Sequence, residues 1–206
     1  MDQAPGRRGR NLPDRHRRLL AMKTLLIAYG SQYGYTEQYA RWISQQLEGH
    51  FATQLLPLDQ LTERAVADAD VLVAGLSDYG GFLTGAQELK KYEQELRFKP
   101  FALFTVSFSG LAGASQQKLD TLLAKNLGES LVQDALGTFH LRGGLDHTRL
   151  SFKHKTVMVG IRSAIAALPK KSDANQQMLD SFTRKTVDYS SQEQVEPLVE
   201  AVAALA

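Results

Sequence analysis

The apolar run Leu25-Leu26-Ile27-Ala28-Tyr29 passes directly into Gly30-Ser31-Gln32-Tyr33-Gly34-Tyr35-Thr36, after which a helical pattern begins. A buried strand that empties into a glycine- and hydroxyl-bearing turn at the mouth of a helix constrains the chain to an α/β architecture. Such a turn offers main-chain N–H groups and the positive end of a helix dipole, and so binds a phosphate without any Lys or Arg. Gly34 permits close backbone approach, and Ser31 and Thr36 add hydroxyls. The turn has neither the Gly-Lys-Ser/Thr ending of a P-loop nor the G-x-G-x-x-G of a dinucleotide site. A ligand-free, solvent-facing βα turn is the plain reading of the same residues.

Ser31 to Thr36 resemble the mononucleotide site of flavodoxin-type proteins, Ser/Thr-x-Thr-Gly-x-Thr. Tyr33 stands where a small hydroxyl residue is usual, which puts one side-chain contact to the phosphate in question.

The 206 residues suffice for one substantial core and are short for two. The chain has no Cys, which excludes a disulfide framework, thiolate catalysis and Cys-held metal or iron–sulfur centres. Redox chemistry must therefore belong to a bound cofactor. No apolar stretch reaches transmembrane length, so a cytoplasmic protein, peripheral on a membrane at most, is expected. Residues 1–21 carry six Arg against Asp2 and Asp14, with two Gly and two Pro and no apolar period. They read as a disordered basic extension, dispensable rather than a nucleic-acid arm, with Met22 resembling a natural start.

From Met22 onward apolar runs alternate with helical patterns. Strands are predicted at 24–29, 53–57, 71–76, 101–108 and 135–141, and helices at 38–47, 59–67, 86–96 and 116–127. Asp59 is the expected N-cap of the second helix, and Ser190-x-x-Glu193 reads as a capping box before a final helix in which Pro197 disfavours a regular first turn. The expected fold is a flavodoxin-like, doubly wound, five-stranded parallel sheet over residues 22–206, with a long insert at about 142–189 near the fifth strand.

In such sheets ligands lie beyond the carboxyl ends of the strands at the switch point, so the loops after strands one, three and four should converge. The second of these is Ser77-Asp78-Tyr79-Gly80-Gly81, where Tyr79 is placed to stack on a planar ring and the glycines expose main-chain N–H groups. The third is Ser107-Phe108-Ser109-Gly110, whose hydroxyls and N–H groups suit the polar edge of such a ring, or simply cap the next helix. A response-regulator receiver shares this topology but needs acidic residues ending strands one and three, where Tyr29-Gly30 and Leu76-Ser77 stand instead.

About fifty residues separate Leu141 from Ser190, where a direct connection would serve. Between His140 and Lys171 there are seven Lys or Arg and one acid, Asp146, followed within that span by an apolar run over 156–168. His140, His147 and His154 recur every seven residues, but Gly143-Gly144 interrupts any shared helix, which argues against a metal site.

With that insert, and with Ser31 to Thr36, Tyr79-Gly80, Lys171-Ser172-Asp173 and Val187-Asp188-Tyr189, the chain from Met22 to about Ala203 resembles the flavodoxin-like, quinone-dependent protoporphyrinogen IX oxidases. The resemblance implies FMN as cofactor, oxidation of a porphyrinogen, and electrons passed to a membrane quinone. The flavin would carry the chemistry, and no side-chain acid or base is singled out. Arg142, Arg149, Lys153 and Lys155 would meet porphyrinogen propionates or anionic lipid at the inner face of the cell membrane, with Val157, Met158, Ile161 and Ile165 inserted. A helix that merely covers the sheet edge is the structural alternative. A flavodoxin-type electron carrier, a NAD(P)H-dependent quinone reductase and an FMN-free module also remain open.

Overall fold

A computed structural model describes residues 22–148, 152–184 and 186–206, with side chains throughout except at 152–155. The expectations for residues 1–21, for Arg149 and for the side chains of Lys153 and Lys155 lie outside the described residues.

Strand β1 (Thr24–Gly30) leads into helix α1 (Tyr35–Gln46), and β2 (Ala52–Pro57) returns parallel to β1. A short α2 (Glu63–Asp68) precedes β3 (Val71–Tyr79), and β4 (Phe82–Thr84) folds back on it antiparallel. Then follow α3 (Ala86–Lys90), α4 (Glu93–Leu96), β5 (Phe101–Ser107), α5 (Gln116–Leu127), α6 (Glu129–Gln133) and β6 (Thr138–Arg142). The remaining elements are β7 (Gly144–Asp146), α7 (Phe152–Ala166), α8 (Asp173–Arg184), β8 (Thr186–Asp188) and α9 (Glu196–Ala203).

The main sheet has the order β2-β1-β3-β5-β6, all parallel, with β4 as a hairpin arm on β3. Without that arm the order is the 2-1-3-4-5 of a doubly wound sheet, as the sequence leads one to expect. Alternate residues of each strand bury on opposite faces. Leu26, Leu72, Ala74 and Leu103 pack beneath Leu89, Leu123 and Leu127 on one side. Leu25, Ile27, Val73 and Phe104 pack beneath Ile43 of α1 and Leu198 of α9 on the other. Two covered faces explain why these strands are continuously apolar rather than alternating.

Several local expectations need correction. Residues 58–60 form a 3-10 turn, and Thr62 rather than Asp59 caps α2, its hydroxyl accepting the Ala65 N–H at 3.2 Å. The pattern over 86–96 breaks into two short helices at Lys91-Tyr92. No Ser190–Glu193 capping box forms, because the Ser190 hydroxyl turns back to the Asp188 carboxylate at 2.7 Å and Ser191 takes up Glu193 instead. Pro197 is accommodated in the first turn of α9, where its missing N–H has no intrahelical acceptor to lose.

Beyond β6 the chain leaves the sheet. Strands β7 and β8 pair antiparallel, Gly144 with Asp188 and Asp146 with Thr186, and α7 and α8 are strung between them. Met158, Ile161, Met178 and Phe182 of these helices gather with Leu145, Tyr33, Tyr79 and Phe108 in a third apolar cluster at the carboxyl end of the sheet.

Candidate functional site

The first loop closes on itself: the Ser31 hydroxyl accepts the Gly34 N–H at 3.0 Å, and Gly34, at φ 97°, starts α1 from the left-handed region that a side chain would strain. Gln32 is exposed. Thr36 is 1% exposed and its hydroxyl has no hydrogen-bond partner. A buried hydroxyl left without a partner is costly, and at a helix N-terminus the group that relieves it is an anionic oxygen. The residues therefore fit a phosphate.

The second loop proves to be a hairpin. Strand β3 runs three residues further than the apolar run predicts, and Gly80 (φ 62°) and Gly81 (φ 92°) make the two-residue turn that only left-handed residues allow. Asp78 secures it, its Oδ1 accepting the Gly81 N–H at 2.9 Å. In the third loop the Ser107 hydroxyl accepts the Gly110 N–H at 2.9 Å.

The second and third loops meet Tyr33 and Tyr35 of the first at one cleft of about 320 Å³, within the range of small-ligand sites, and Ser31, Gln32, Gly34 and Thr36 stand outside its lining. Of the predicted residues, Tyr33, Tyr35, Ser77, Asp78, Tyr79, Gly80, Ser107, Phe108, Ser109 and Gly110 line it. Tyr33 and Tyr79 meet edge to face across it, centroids 6.0 Å apart. Burial, with Tyr33 adding, pushes the Tyr79 phenol up to about 12, while burial raises Asp78 against the pull of the Gly81 N–H and of His140. Tyr33 thus faces the cleft, where it packs with the insert.

The insert roofs this cleft. Met158, 3% exposed, and Ile161 point into it from α7, and Met178 from α8. Val157 and Val159, 45% and 62% exposed, face outward, and Ile165 is half-buried off the lining. Val157, Met158, Ile161 and Ile165 therefore form no single inserting face. Arg142 is engaged inside the fold: its guanidinium lies 3.5 Å over the Tyr189 ring, and its Nε donates to the Phe108 carbonyl at 3.2 Å. Its other arm reaches Gln177 of α8.

Sequence reasoning missed several residues. Lys118, Leu119 and Leu122 of α5 form one wall, marked in the sequence only by ordinary helical periodicity. Asn126 clamps the hairpin by donating to the Gly81 carbonyl at 3.2 Å. Gly143 and Gly144 let Tyr35 lie against the backbone, since a Cβ on Gly144 would sit 2.3 Å from the Tyr35 hydroxyl. His140 is buried between Thr105 and Asp120, and His147 bonds Ser181 at 3.2 Å, its imidazole pushed down by burial against Asp146.

A family model described as "Flavodoxin domain" matches residues 26–173, which spans the three loops and most of the insert. The chain belongs to the flavodoxin domain family. Among solved structures, this flavodoxin domain is similar to oxidised flavodoxin 2 from Bacillus cereus, at 21% identity and TM-score 0.41 over 56% of this chain and 83% of that one. It is also similar to the two-electron reduced flavodoxin of Megasphaera elsdenii, at 17% identity and TM-score 0.40 over 55% and 82%. A third is a mutant flavodoxin of Fusobacterium nucleatum bound to flavin mononucleotide, at 14% identity and TM-score 0.39 over 64% and 74%. No curated protein matches the chain.

Proposed function

We propose that the chain is an FMN-dependent oxidoreductase that oxidises a flat, largely apolar reductant of porphyrinogen type, and that a membrane quinone takes the electrons. The observation that carries this reading is the apolar roof that Met158, Ile161 and Met178 form over the cleft, opposite Tyr33 and Tyr79. FMN is the cofactor, and it supplies the one- and two-electron chemistry when bound. The chain's own task is placement. The turn at Ser31–Thr36 receives the phosphate with the otherwise unpartnered Thr36 hydroxyl, and Tyr79 and Phe108 border the space for the ring. The roof excludes water and selects for a planar, apolar partner.

The outer surface of the insert supports a peripheral place on anionic lipid. Val157, Val159 and Leu168 are exposed there, alongside exposed Arg162, Lys170 and Lys171. Among the described residues no helix is long and apolar enough to cross a membrane.

An electron carrier is the second reading, favoured by Phe82, 79% exposed beside the hairpin tip, and Leu111, 52% exposed just after Gly110. Apolar side chains flanking a redox cleft suit transient docking of a protein partner. The deciding assay gives the FMN-loaded protein protoporphyrinogen anaerobically with a menaquinone analogue and follows porphyrin fluorescence. A quinone-dependent rise is expected. No rise from a flavin-loaded protein removes the porphyrinogen assignment and leaves the carrier.

A further inference from the structure

We propose that Lys118 is a specificity-determining residue of the cleft, whose ammonium receives a carboxylate carried on the edge of the substrate and holds that edge at the rim. The inference rests on the oxidoreductase reading above and deepens it, from a flat apolar reductant to one that is also an organic acid.

Lys118 lines the cleft from α5, on the wall it shares with Leu119 and Leu122. Among the described residues of that lining it is the one cation, and Asp78 is the one carboxylate. The rest of the lining is aromatic, apolar, glycine or serine. Asp78 is half-buried and accepts the Gly81 N–H at 2.9 Å, whereas Lys118 is exposed. Among the described residues no ion pair involves Lys118. Two other cations near the roof are committed elsewhere. Arg142 stacks on Tyr189 and binds the Phe108 carbonyl and Gln177, and Arg162 lies over the Phe182 ring at 5.4 Å.

An exposed lysine on a helix is ordinarily a solvated surface group or half of an i,i+4 ion pair. Two features of α5 set Lys118 apart. The positions three and four residues away on either side are Ala114, Ser115, Thr121 and Leu122, so no acid stands at helical pairing distance. Arg41, Arg64 and Arg97, by contrast, each hold a Glu or Asp four residues away. Lys118 also stands in the first turn of α5, where the positive end of the helix dipole repels a cation and no acidic residue offsets it. A charge that disfavours its own helix and yet lines a cleft is explained by an anion that meets it there.

The remaining lining completes the selection. A carboxylate pushed in among Leu119, Met158 and Ile161 would lose its hydration without gaining a partner, and Asp78 would repel it. The acid edge of a bound molecule therefore stays at Lys118, and its uncharged edge enters beneath the roof.

The test uses the FMN-loaded full chain and two probes that share one ring system and differ in charge, mesoporphyrin IX and its dimethyl ester, in the same neutral detergent. Porphyrin fluorescence gives the ratio of diacid to ester affinity for wild type, Lys118→Gln, Lys118→Arg and Lys118→Glu. Lys118→Gln is expected to lower that ratio about fivefold, the worth of one exposed ion pair. Lys118→Arg should keep the wild-type ratio, and Lys118→Glu should lower it further than Gln does. In about 1 M salt the wild-type ratio should fall to that of Lys118→Gln. The flavin midpoint potential is measured on the same proteins. A Lys118→Gln protein that shifts the potential but keeps the wild-type ratio assigns the charge to the flavin ring and overturns the proposal. An equal ratio in wild type and Lys118→Gln with no shift in potential also overturns it, and in both cases the oxidoreductase reading stands. A flavin-loaded wild type that binds neither probe removes the porphyrinogen-type substrate, and the proposal with it.

Discussion

The Tyr39 hydroxyl donates to the Arg142 carbonyl at 2.6 Å, joining α1 to the end of β6 across 103 residues of sequence. The same oxygen accepts the Ser191 N–H at 3.2 Å, so one buried phenol ties the phosphate helix, the last parallel strand and the return from the insert.

Replacing Tyr39 by Phe leaves a buried carbonyl and an N–H without that partner, at a cost of about 1–3 kcal/mol. Urea unfolding should show the loss as a lower midpoint with an unchanged slope. Burial pushes the Tyr39 phenol up to about 12 from an ordinary value of 10.0. The folded state thus holds this proton more tightly than the unfolded one. The stabilisation is complete below pH 10 and drains away as pH rises toward 12. Tyr39→Phe should flatten that alkaline decline.

Thr36→Val removes a buried, unpartnered hydroxyl at constant shape, so the FMN-free protein should melt at the same temperature or slightly higher. FMN affinity should fall about tenfold or more, the worth of one hydrogen bond to a charged acceptor. Flavin fluorescence quenching measures the affinity, and a melt of the apoprotein supplies the control. An unchanged affinity would remove Thr36 from the phosphate site.

Tyr33→Ser restores the usual hydroxyl pattern of the turn yet deletes an edge-to-face contact with Tyr79 and a contact with the insert cluster. Such an aromatic pair is worth about 0.5–1.5 kcal/mol. FMN binding should survive, while amide exchange in α7 and α8 accelerates. If exchange in the roof stays the same, the turn and the insert are not coupled through this ring.

Val159→Asp alters only the outward face of α7, because that side chain is 62% exposed. Thermal stability should be unchanged, and cosedimentation with anionic vesicles should weaken. Met158→Ala, on the inward face, should do the reverse and cost about 2–5 kcal/mol in the stability of the roof. Equal vesicle binding by wild type and Val159→Asp would dismiss the lipid-facing assignment.

The fold is readable because its strands are apolar on both faces: Val71 to Leu76 admits few other placements once helices must cover each side. The three loops are readable because glycines and hydroxyls mark where chain direction changes. What stays hidden depends on tertiary partners. Thr62 and Asp59 are both good caps by residue type, and only the path of the chain after the 3-10 turn selects Thr62. Met158 and Val157 are adjacent apolar residues of a weakly amphipathic helix, so composition cannot say which faces in; the cleft beneath α7 decides it. Arg142 carries a charge that suggests solvent or an anionic ligand, and nothing local foretells its stacking on Tyr189, a residue from the far side of the insert.

The pairing of Asp146 with Thr186 sets the exit and re-entry of the insert side by side, on a ladder that contributes nothing to the main sheet. Closing a longer excursion between two fixed points costs only logarithmically more entropy. Segments of very different length or chemistry can therefore occupy this position without disturbing strand order, while the turn feels the change through Tyr33, which packs on the insert. The ladder makes the cleft's ceiling a separable part: the chain strung between its two strands, about forty residues, can be rewritten while the parallel strands beneath keep their pairing.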